Sequence, residues 1–178
     1  MSLLAPEKPT VTVDMYSMTV PVLVRALKNL SHLLDKAEAH VEDNGLKPED
    51  MLGARLIEDM LALVNQVQLA TDTAKGAAAR LAGVENPSFA DIETTFDELH
   101  QRIDKTIEFI KSVDRDLFTG AETRDVTLKV RGGELHFKGF DYLTGFVLPN
   151  LFFHVTTAYG IIRHKGVKIG KLDYLGPR

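Results

Sequence analysis

The stretch FDYLTGFVLPNLFFHVTTAYGIIRHK, residues 140–165, decides the fold predicted for this chain. No charged residue occurs between positions 142 and 162, and the apolar residues recur every three or four positions, as on a buried helix face. On a helix that turns about 100° per residue, Asn150 and His154 lie one turn apart on the apolar face. The sequence therefore predicts a core helix that turns a single histidine toward the interior.

Length and composition limit the class of protein. The chain of 178 residues is long enough for one domain, and 44% hydrophobic with 26% charged residues is typical of a globular, soluble protein. The sequence contains no cysteine, which excludes disulfides, thiolate metal sites and cysteine nucleophiles. A formal net charge of -4 argues against a nucleic-acid partner, since nucleic-acid-binding surfaces neutralise phosphates with Lys and Arg.

Targeting and membrane signals are not found in the sequence. The first twenty residues lack a basic start followed by an apolar core. The apolar run from 142 to 162 is interrupted by Pro149, Asn150 and His154, which suits a buried helix better than a membrane span. We therefore expect a cytoplasmic protein without a membrane partner.

Three amphipathic helices are predicted before this one. The first begins near Met15, with Ser17 or Thr19 as its cap, and ends at Asn44 and Gly45. The second starts at Pro48 and stops at Gly83, and the third opens with Ser88 and Asp91 in capping-box spacing and runs to Val113. The predicted inward faces include Ile57, Met60, Leu61, Val64 and Val67 in the second helix, and Phe89, Ile92, Phe96, Leu99 and Ile103 in the third.

Between the third and fourth helices the apolar period changes from about 3.6 residues to two. Val126 and Leu128 alternate with polar residues, and Gly132 and Gly133 supply a turn, so a β-hairpin is predicted. Asp141 is expected to cap the fourth helix and Pro149 to kink it.

The predicted fold class is all-α. Residues 1–14 are expected to form an extended arm, and residues 15–178 a single four-helix-bundle domain whose tail from Gly166 onward is extended. Short linkers imply antiparallel neighbours for the first three helices, and the hairpin lies in the crossover before the fourth.

The inward polar residues are Gln68 and Thr71 on the second helix and Asn150 and His154 on the fourth. If these helices are neighbours, the four side chains surround one pocket or one hydrogen-bond network. The simplest interpretation of the lone histidine is a core network in which Gln68 or Asn150 bonds to the ring. A ligand-binding or catalytic role is the second interpretation, because buried polar groups are costly. A metal site is the third, although one histidine with neutral amides is a poor ligand set.

Three stretches carry a family resemblance: MYSMTVPVLVRALKNLSHLLDKA at 15–37, QVQLATDTAKGAAARLAG at 66–83 and LPNLFFHVTTAYGIIRHKGVKIGKLDYLG at 148–176. They resemble a bacterial and fungal family catalogued only as a domain of unknown function, within the DinB-like superfamily of four-helix bundles. The resemblance covers nearly all of the chain from Met15 onward. It implies an up-down-down-up bundle that is frequently dimeric.

The resemblance also implies a place for a metal. Many members of the superfamily carry three histidines, one from the second helix and two spaced by four residues on the fourth, and some metal-bearing relatives look like thiol-dependent transferases or hydrolases. Here His154 matches the first histidine of the fourth helix, Ala158 stands at the second place, and Gln68 or Gln66 replaces the histidine of the second helix. We therefore expect no metal or other cofactor.

The leading functional hypothesis is a homodimer that binds a small molecule or a protein partner. The alternatives are a metal-dependent or His-based transferase or hydrolase, with His154 as a general base or in an unusual metal site with Gln68 and Asn150, and a structural module without a pocket. Besides the resemblance, the dimer prediction depends on apolar tail residues with no obvious strand to join, namely Val167, Ile169, Leu172, Tyr174 and Leu175.

Overall fold

The chain forms long helices with a two-stranded sheet in the last crossover, and a computed structural model describes residues 13–177. The predicted arm therefore lies almost entirely outside the described residues. The elements in chain order are α1 (Met15–Asp43), α2 (Pro48–Leu52), α3 (Leu63–Ala82), α4 (Phe96–Ser112), β1 (Asp125–Val130), β2 (Gly133–Lys138), α5 (Gly139–Asp141), α6 (Leu148–His164) and α7 (Lys171–Leu175). Two 3-10 turns, Arg115–Phe118 and Ala121–Thr123, precede β1, and a π-helical stretch, Tyr142–Val147, joins α5 to α6.

Helix α1 is capped by Asp14, which corrects the predicted cap at Ser17 or Thr19. The Asp14 carboxylate accepts the Ser17 N–H at 2.7 Å, and the Asp14 N–H donates to the Ser17 hydroxyl at 2.9 Å. This reciprocal capping box satisfies N–H groups that have no partner within the first turn. The Ser17 N–H and the Arg115 guanidinium together lower the pKa of Asp14 to about 2.

The second predicted helix is interrupted by a loop at residues 53–62. Ile57 and Leu61, predicted to face inward, are 62% and 46% exposed. The Leu63 N–H donates to the Ala54 carbonyl at 2.9 Å and closes the loop, while Leu56 lies over Gly160 of α6. The prediction of one continuous helix from Pro48 was wrong because these contacts outweigh the apolar periodicity of the loop.

Helix α4 begins at Phe96 and not at Ser88. The Glu98 N–H donates to Thr95 Oγ1 at 3.2 Å, and the Thr95 N–H donates to Glu98 Oε2 at 3.1 Å, so the capping box lies seven positions later than predicted. Residues 84–95, called here the crossover strap, are irregular and connect α3 to α4. Ile92 in the strap is 76% exposed, so its predicted inward position was also wrong.

Polar contacts show how the helices run. From the first to the last turn of α3, Gln66 bonds to His154, Thr73 to Asn150 and Arg80 to Tyr142. The partner positions decrease as the positions in α3 increase, so α3 and the helical run from α5 to α6 are antiparallel. The strap returns along α3 and brings Glu93 to Gln68. Helix α4 therefore starts beside the start of α3 and runs in the same direction, contrary to the antiparallel order inferred from linker length.

The hairpin is confirmed, and the apolar positions of its strands pair across the sheet. Val126 lies opposite Phe137, and Leu128 lies opposite Leu135. The next helix begins at Gly139, so Asp141 is not its cap; a Cβ at Gly139 would collide with the Ala121 carbonyl oxygen. A π-helical stretch ends directly before α6, so Pro149 lies in the first turn of that helix. Proline is tolerated in a first turn because the N–H that it lacks would have no α-helical partner there.

The core consists of fully buried aliphatic side chains from the four long helices, including Leu23, Leu27, Leu30, Ala70, Ala74, Leu99, Ile103, Ile110, Leu151, Ala158 and Ile161. The helical run Gly139–His164 is long and apolar enough to span a membrane by length and composition, a test that the core helix of a soluble protein also passes. Here it packs against α3 and α1. The tail contains the short helix α7, so the extended tail predicted from Gly166 onward is only partly correct.

Candidate functional site

His154 lies on α6, 8% exposed, and its partner is Gln66. His154 Nδ1 is 2.8 Å from Gln66 Oε1, and Gln66 Nε2 donates to the Leu61 carbonyl at 3.0 Å. Because a carbonyl oxygen can only accept, the Leu61 bond orients the amide so that its oxygen faces the ring. His154 Nδ1 must then carry the proton. The predicted partners Gln68 and Asn150 form no hydrogen bond with the ring, and the amide that bonds to it is Gln66.

The other ring nitrogen, His154 Nε2, has no hydrogen-bond partner among residues 13–177. In that part of the chain the only fully enclosed side-chain polar atom without a partner is Thr19 Oγ1, so Nε2 keeps some contact with solvent. Burial lowers the pKa of His154, since a low-dielectric environment disfavours the imidazolium form. Phe153, 56% exposed, meets the ring edge-on at 5.3 Å between centroids. The site presents a neutral imidazole whose lone pair is on Nε2.

The side chains around His154 do not fit the three-histidine site that the resemblance implies. The second-helix donor is the Gln66 amide, which is already bonded to His154 and Leu61, and Ala158 at the next inward place is fully buried and offers no donor. Within residues 13–177, no group of three or more His, Cys, Asp or Glu side chains is arranged to hold a metal ion. A metal at this position would depend on a single imidazole nitrogen.

The four residues predicted to share one pocket or one hydrogen-bond network have different side-chain partners, and that of His154 is Gln66. Asn150 donates to Thr73 Oγ1 at 2.7 Å, on the α3–α6 seam below His154. Gln68 donates to Glu93 at 2.9 Å, and Thr71 accepts from Arg102 at 2.8 Å, both on the side of α3 that faces the strap and α4. Positions 66 and 68 differ by about 200° around a helix, so only Gln66 can face α6. The structure therefore does not bring the four side chains around one another, and a ligand role for these residues stays a prediction.

Arg102, whose side chain is 2% exposed, was not predicted from the sequence as a site residue. Its guanidinium forms salt bridges of 2.9 Å with each of Asp72, Asp91 and Glu93, and donates to Thr71. We call these five residues the Arg102 cluster. Burial alone would raise the pKa of Glu93, but hydrogen bonds from Gln68 and Arg102 hold it below the ordinary value. Asp91 and Glu93 therefore fasten the strap to α3 and α4.

The sequence did contain a signal for this cluster. Arg102 follows Leu99 by three positions and precedes Thr106 by four, which places it beside the buried face of α4. A cation at such a position needs charged or carbonyl partners nearby, because unpaired burial of a charge is expensive.

A cavity of about 530 Å³ lies between α1, α6 and α7, and its lining includes none of the four predicted site residues. Its apolar wall includes Val22 and Ala26 of α1, Phe152 and Val155 of α6, and Leu175 of α7. Arg25, Asn29 and Tyr174 add polar atoms to the lining. Because three segments that are distant in the sequence form this cavity, no local sequence motif predicts it.

Helix α7 closes one side of this cavity and is attached by polar contacts. Asn29 Nδ2 donates to the Tyr174 carbonyl at 3.0 Å, and Arg25 Nη2 donates to the Leu175 carbonyl at 3.2 Å. Gly176 has a positive φ of 72°, and a Cβ there would collide with Asn29. None of the residues of α7 is buried. Apart from Tyr174, which packs against Tyr159, little apolar area therefore holds this helix in place.

Comparisons with known proteins agree with the fold. A family model described as "Domain of unknown function (DUF1993)" matches residues 15–175. A crystal structure of a DinB family member protein from Shewanella denitrificans is 40% identical to this chain, with a TM-score of 0.85, and the match covers 92% of this chain and 93% of that chain. The curated proteins contain no match.

Proposed function

This chain belongs to the family described as "Domain of unknown function (DUF1993)", and we propose that it is a small-ligand-binding bundle that does not use a three-histidine metal site. The observation that carries the proposal is the cavity of about 530 Å³ between α1, α6 and α7. Its volume and largely apolar wall, with a few polar groups, are typical of small-molecule sites. The non-metallic part of the proposal is supported by Gln66 and Ala158 at two of the three donor places.

Ligand retention by matched variants tests this function. The protein is incubated with the small-molecule fraction of a cell extract, repurified, and denatured for mass spectrometry of the released compounds. Val22→Trp narrows the cavity from its partly exposed rim, whereas Val130→Trp adds the same side chain at an exposed hairpin position. We expect the wild type and Val130→Trp to release the same compound and Val22→Trp to release none. Release from all three proteins, or from none, contradicts the proposal.

A second candidate function is a His-based transferase or hydrolase. A neutral imidazole whose Nδ1–H is held by an acceptor, with Nε2 bare, has the arrangement of an oriented general base. The lining of the α1–α6–α7 cavity does not include His154, which favours ligand binding away from that residue. His154→Gln separates the two: it keeps the retained compound if the α1–α6–α7 cavity binds it and loses the compound if His154 does.

We also propose the up-down-down-up arrangement for the four long helices. Its support is the antiparallel order of contacts between α3 and α6, together with the return of the strap along α3 before α4 begins. The long crossovers then lie before α4 and before α6.

A homodimer in the cytoplasm remains a proposal. Leu172 and Leu175 of the tail are 74% and 43% exposed and support contact with a second copy. Val167 and Ile169, grouped with them in the sequence analysis, are each 3% exposed and belong to the core. The apolar surface available for such a contact is therefore smaller than the sequence indicated.

A further inference from the structure

We infer that the cavity between α1, α6 and α7 takes a small anionic amphiphile, such as a medium-chain carboxylate, with its charged group on Arg25 and its apolar body against Val22, Ala26 and Val155. This inference rests on the proposed function and names the ligand class of the same site.

The charge of the lining points to an anion. Arg25 is the one charged side chain among the residues that line the cavity. Its guanidinium gives one N–H to the Leu175 carbonyl at 3.2 Å, and within residues 13–177 it forms no salt bridge. A guanidinium has five N–H donors in a planar fork that matches a carboxylate. The remaining donors face no competing carboxylate in the described chain.

The other side-chain donors of the lining, the Asn29 amide and the Tyr174 hydroxyl, are already bonded to protein. Asn29, 9% exposed, donates Nδ2 to the Tyr174 carbonyl, and the Tyr174 hydroxyl lies 3.0 Å from Thr156 Oγ1. Polar groups of a ligand that lie against the apolar wall of this cavity would have no partners there, which is costly. One charged head group and an apolar remainder satisfy the lining best.

Access to the cavity is consistent with such a ligand. Helix α7 forms one wall through Tyr174 and Leu175 and buries none of its own residues. Elements with few buried apolar contacts open at the lowest free energy, so α7 is the wall that moves when a ligand enters.

The test is an NMR titration of the ¹⁵N-labelled full chain with decanoate, decanol and decylammonium, which differ in the head group alone. We expect saturable amide shifts at Ala26, Asn29 and Val155 with decanoate, and about tenfold weaker binding of decanol, as for loss of one charge-assisted hydrogen-bonded pair. Arg25→Gln should weaken decanoate by about the same factor. Arg131→Gln, at the exposed hairpin turn, is the control and should bind decanoate like the wild type.

The outcomes separate the ligand class from the function. Equal binding of decanoate and decanol, or an unchanged decanoate affinity in Arg25→Gln, overturns the anionic class but leaves a ligand cavity in place. No shift at the cavity amides with any of the three probes overturns both. Sedimentation equilibrium supplies the remaining check: if Val22→Trp halves the mass of the wild type, a second copy covers this cavity and the inference is wrong.

Discussion

Gln66 is 2% exposed and uses both ends of its amide, the oxygen on His154 and the nitrogen on the Leu61 carbonyl. It therefore joins α3, α6 and the loop at 53–62 through one side chain. The same two bonds decide which nitrogen of His154 carries a proton. The Gln66 amide thus both connects these segments and determines the tautomer of His154.

Replacing Gln66 with Leu should destabilise the fold by about 1–3 kcal/mol, because it strands the buried His154 N–H and the Leu61 carbonyl. Urea unfolding at neutral pH measures the change. Gln101→Leu, on the exposed face of α4, is the matched control and should change the free energy of unfolding by less than about 0.5 kcal/mol. Equal effects of the two variants would show that the Gln66 bonds contribute nothing specific.

The lowered pKa of His154 predicts how stability depends on pH. Because burial holds the folded pKa of His154 below the ordinary histidine value of 6.5, the unfolded chain binds this proton first as the pH falls. The stability from the neutral ring is complete above pH 6.5 and is lost as the pH falls through the lowered folded pKa. Between about pH 7.5 and about pH 5.5, the free energy of unfolding should therefore fall less in His154→Gln than in the wild type.

Exposed His164 at the end of α6 supplies the control for this pH experiment. His164→Gln should lose as much stability as the wild type over the same pH interval. If His154→Gln instead follows the wild type, burial of the imidazole does not couple its protonation to folding.

For single residues, the sequence predicted that the His154 side chain points into the core, but it did not predict which residue bonds to the ring. The period of about 3.6 residues places His154 on the buried face of α6 whatever the neighbouring helix. Which amide reaches the ring depends on the rotation of α3, and Gln66 and Gln68 point in nearly opposite directions. The rotation is set by the packing of two helices, which no single segment encodes.

At the scale of elements, the Arg102 cluster fixes the crossover strap. Asp91 and Glu93 belong to the strap, Asp72 to α3 and Arg102 to α4, so one guanidinium connects three segments. Phe89 of the strap adds contacts with the Lys75 and Lys105 ammonium groups at 4.5 and 4.3 Å from its ring centre. The irregular strap is therefore held in place by charge and not by regular secondary structure.

Arg102→Met should cost about 3 kcal/mol, since it leaves Glu93 without its cation in a partly buried site and leaves Asp72 with Lys75 alone. Hydrogen exchange should also increase at residues 84–95 more than in α1. Arg131→Met, in the exposed hairpin turn, should change neither quantity. Unaltered exchange in the strap of Arg102→Met would mean that other contacts hold it.

The errors of element prediction have local causes. The loop at 53–62 continues the apolar spacing of a helix, but the Leu63–Ala54 hydrogen bond closes it as a loop. The Ser88 and Asp91 spacing resembles a capping box, yet Thr95 and Glu98 form the real one. The Thr-x-x-Glu pattern matches the preferred residues of that motif better, so the sequence contained the answer.

At the scale of the whole molecule, four apolar stripes were sufficient to predict a helical bundle with one hairpin. The stripes specify which faces are buried, and burial of those faces against each other leaves few arrangements. The cavity between α1, α6 and α7 was beyond sequence reasoning, because its wall depends on how the tail folds back over two helices.

The proposed homodimer is tested by mass. Sedimentation equilibrium at micromolar concentration should give about twice the chain mass of 19.7 kDa. A mass near that of one chain, unchanged with concentration, would leave Leu172 and Leu175 as ordinary exposed residues.

The measurement that bears most directly on a non-metallic bundle is the ¹⁵N NMR spectrum of the His154 imidazole, recorded on protein prepared without added metal and again with one equivalent of zinc. We predict a protonated Nδ1 and a bare Nε2 in the first spectrum, and the same two resonances in the second. A zinc-dependent shift of His154 Nε2, with metal retained after dialysis, would contradict the assignment of this site as an imidazole–amide pair.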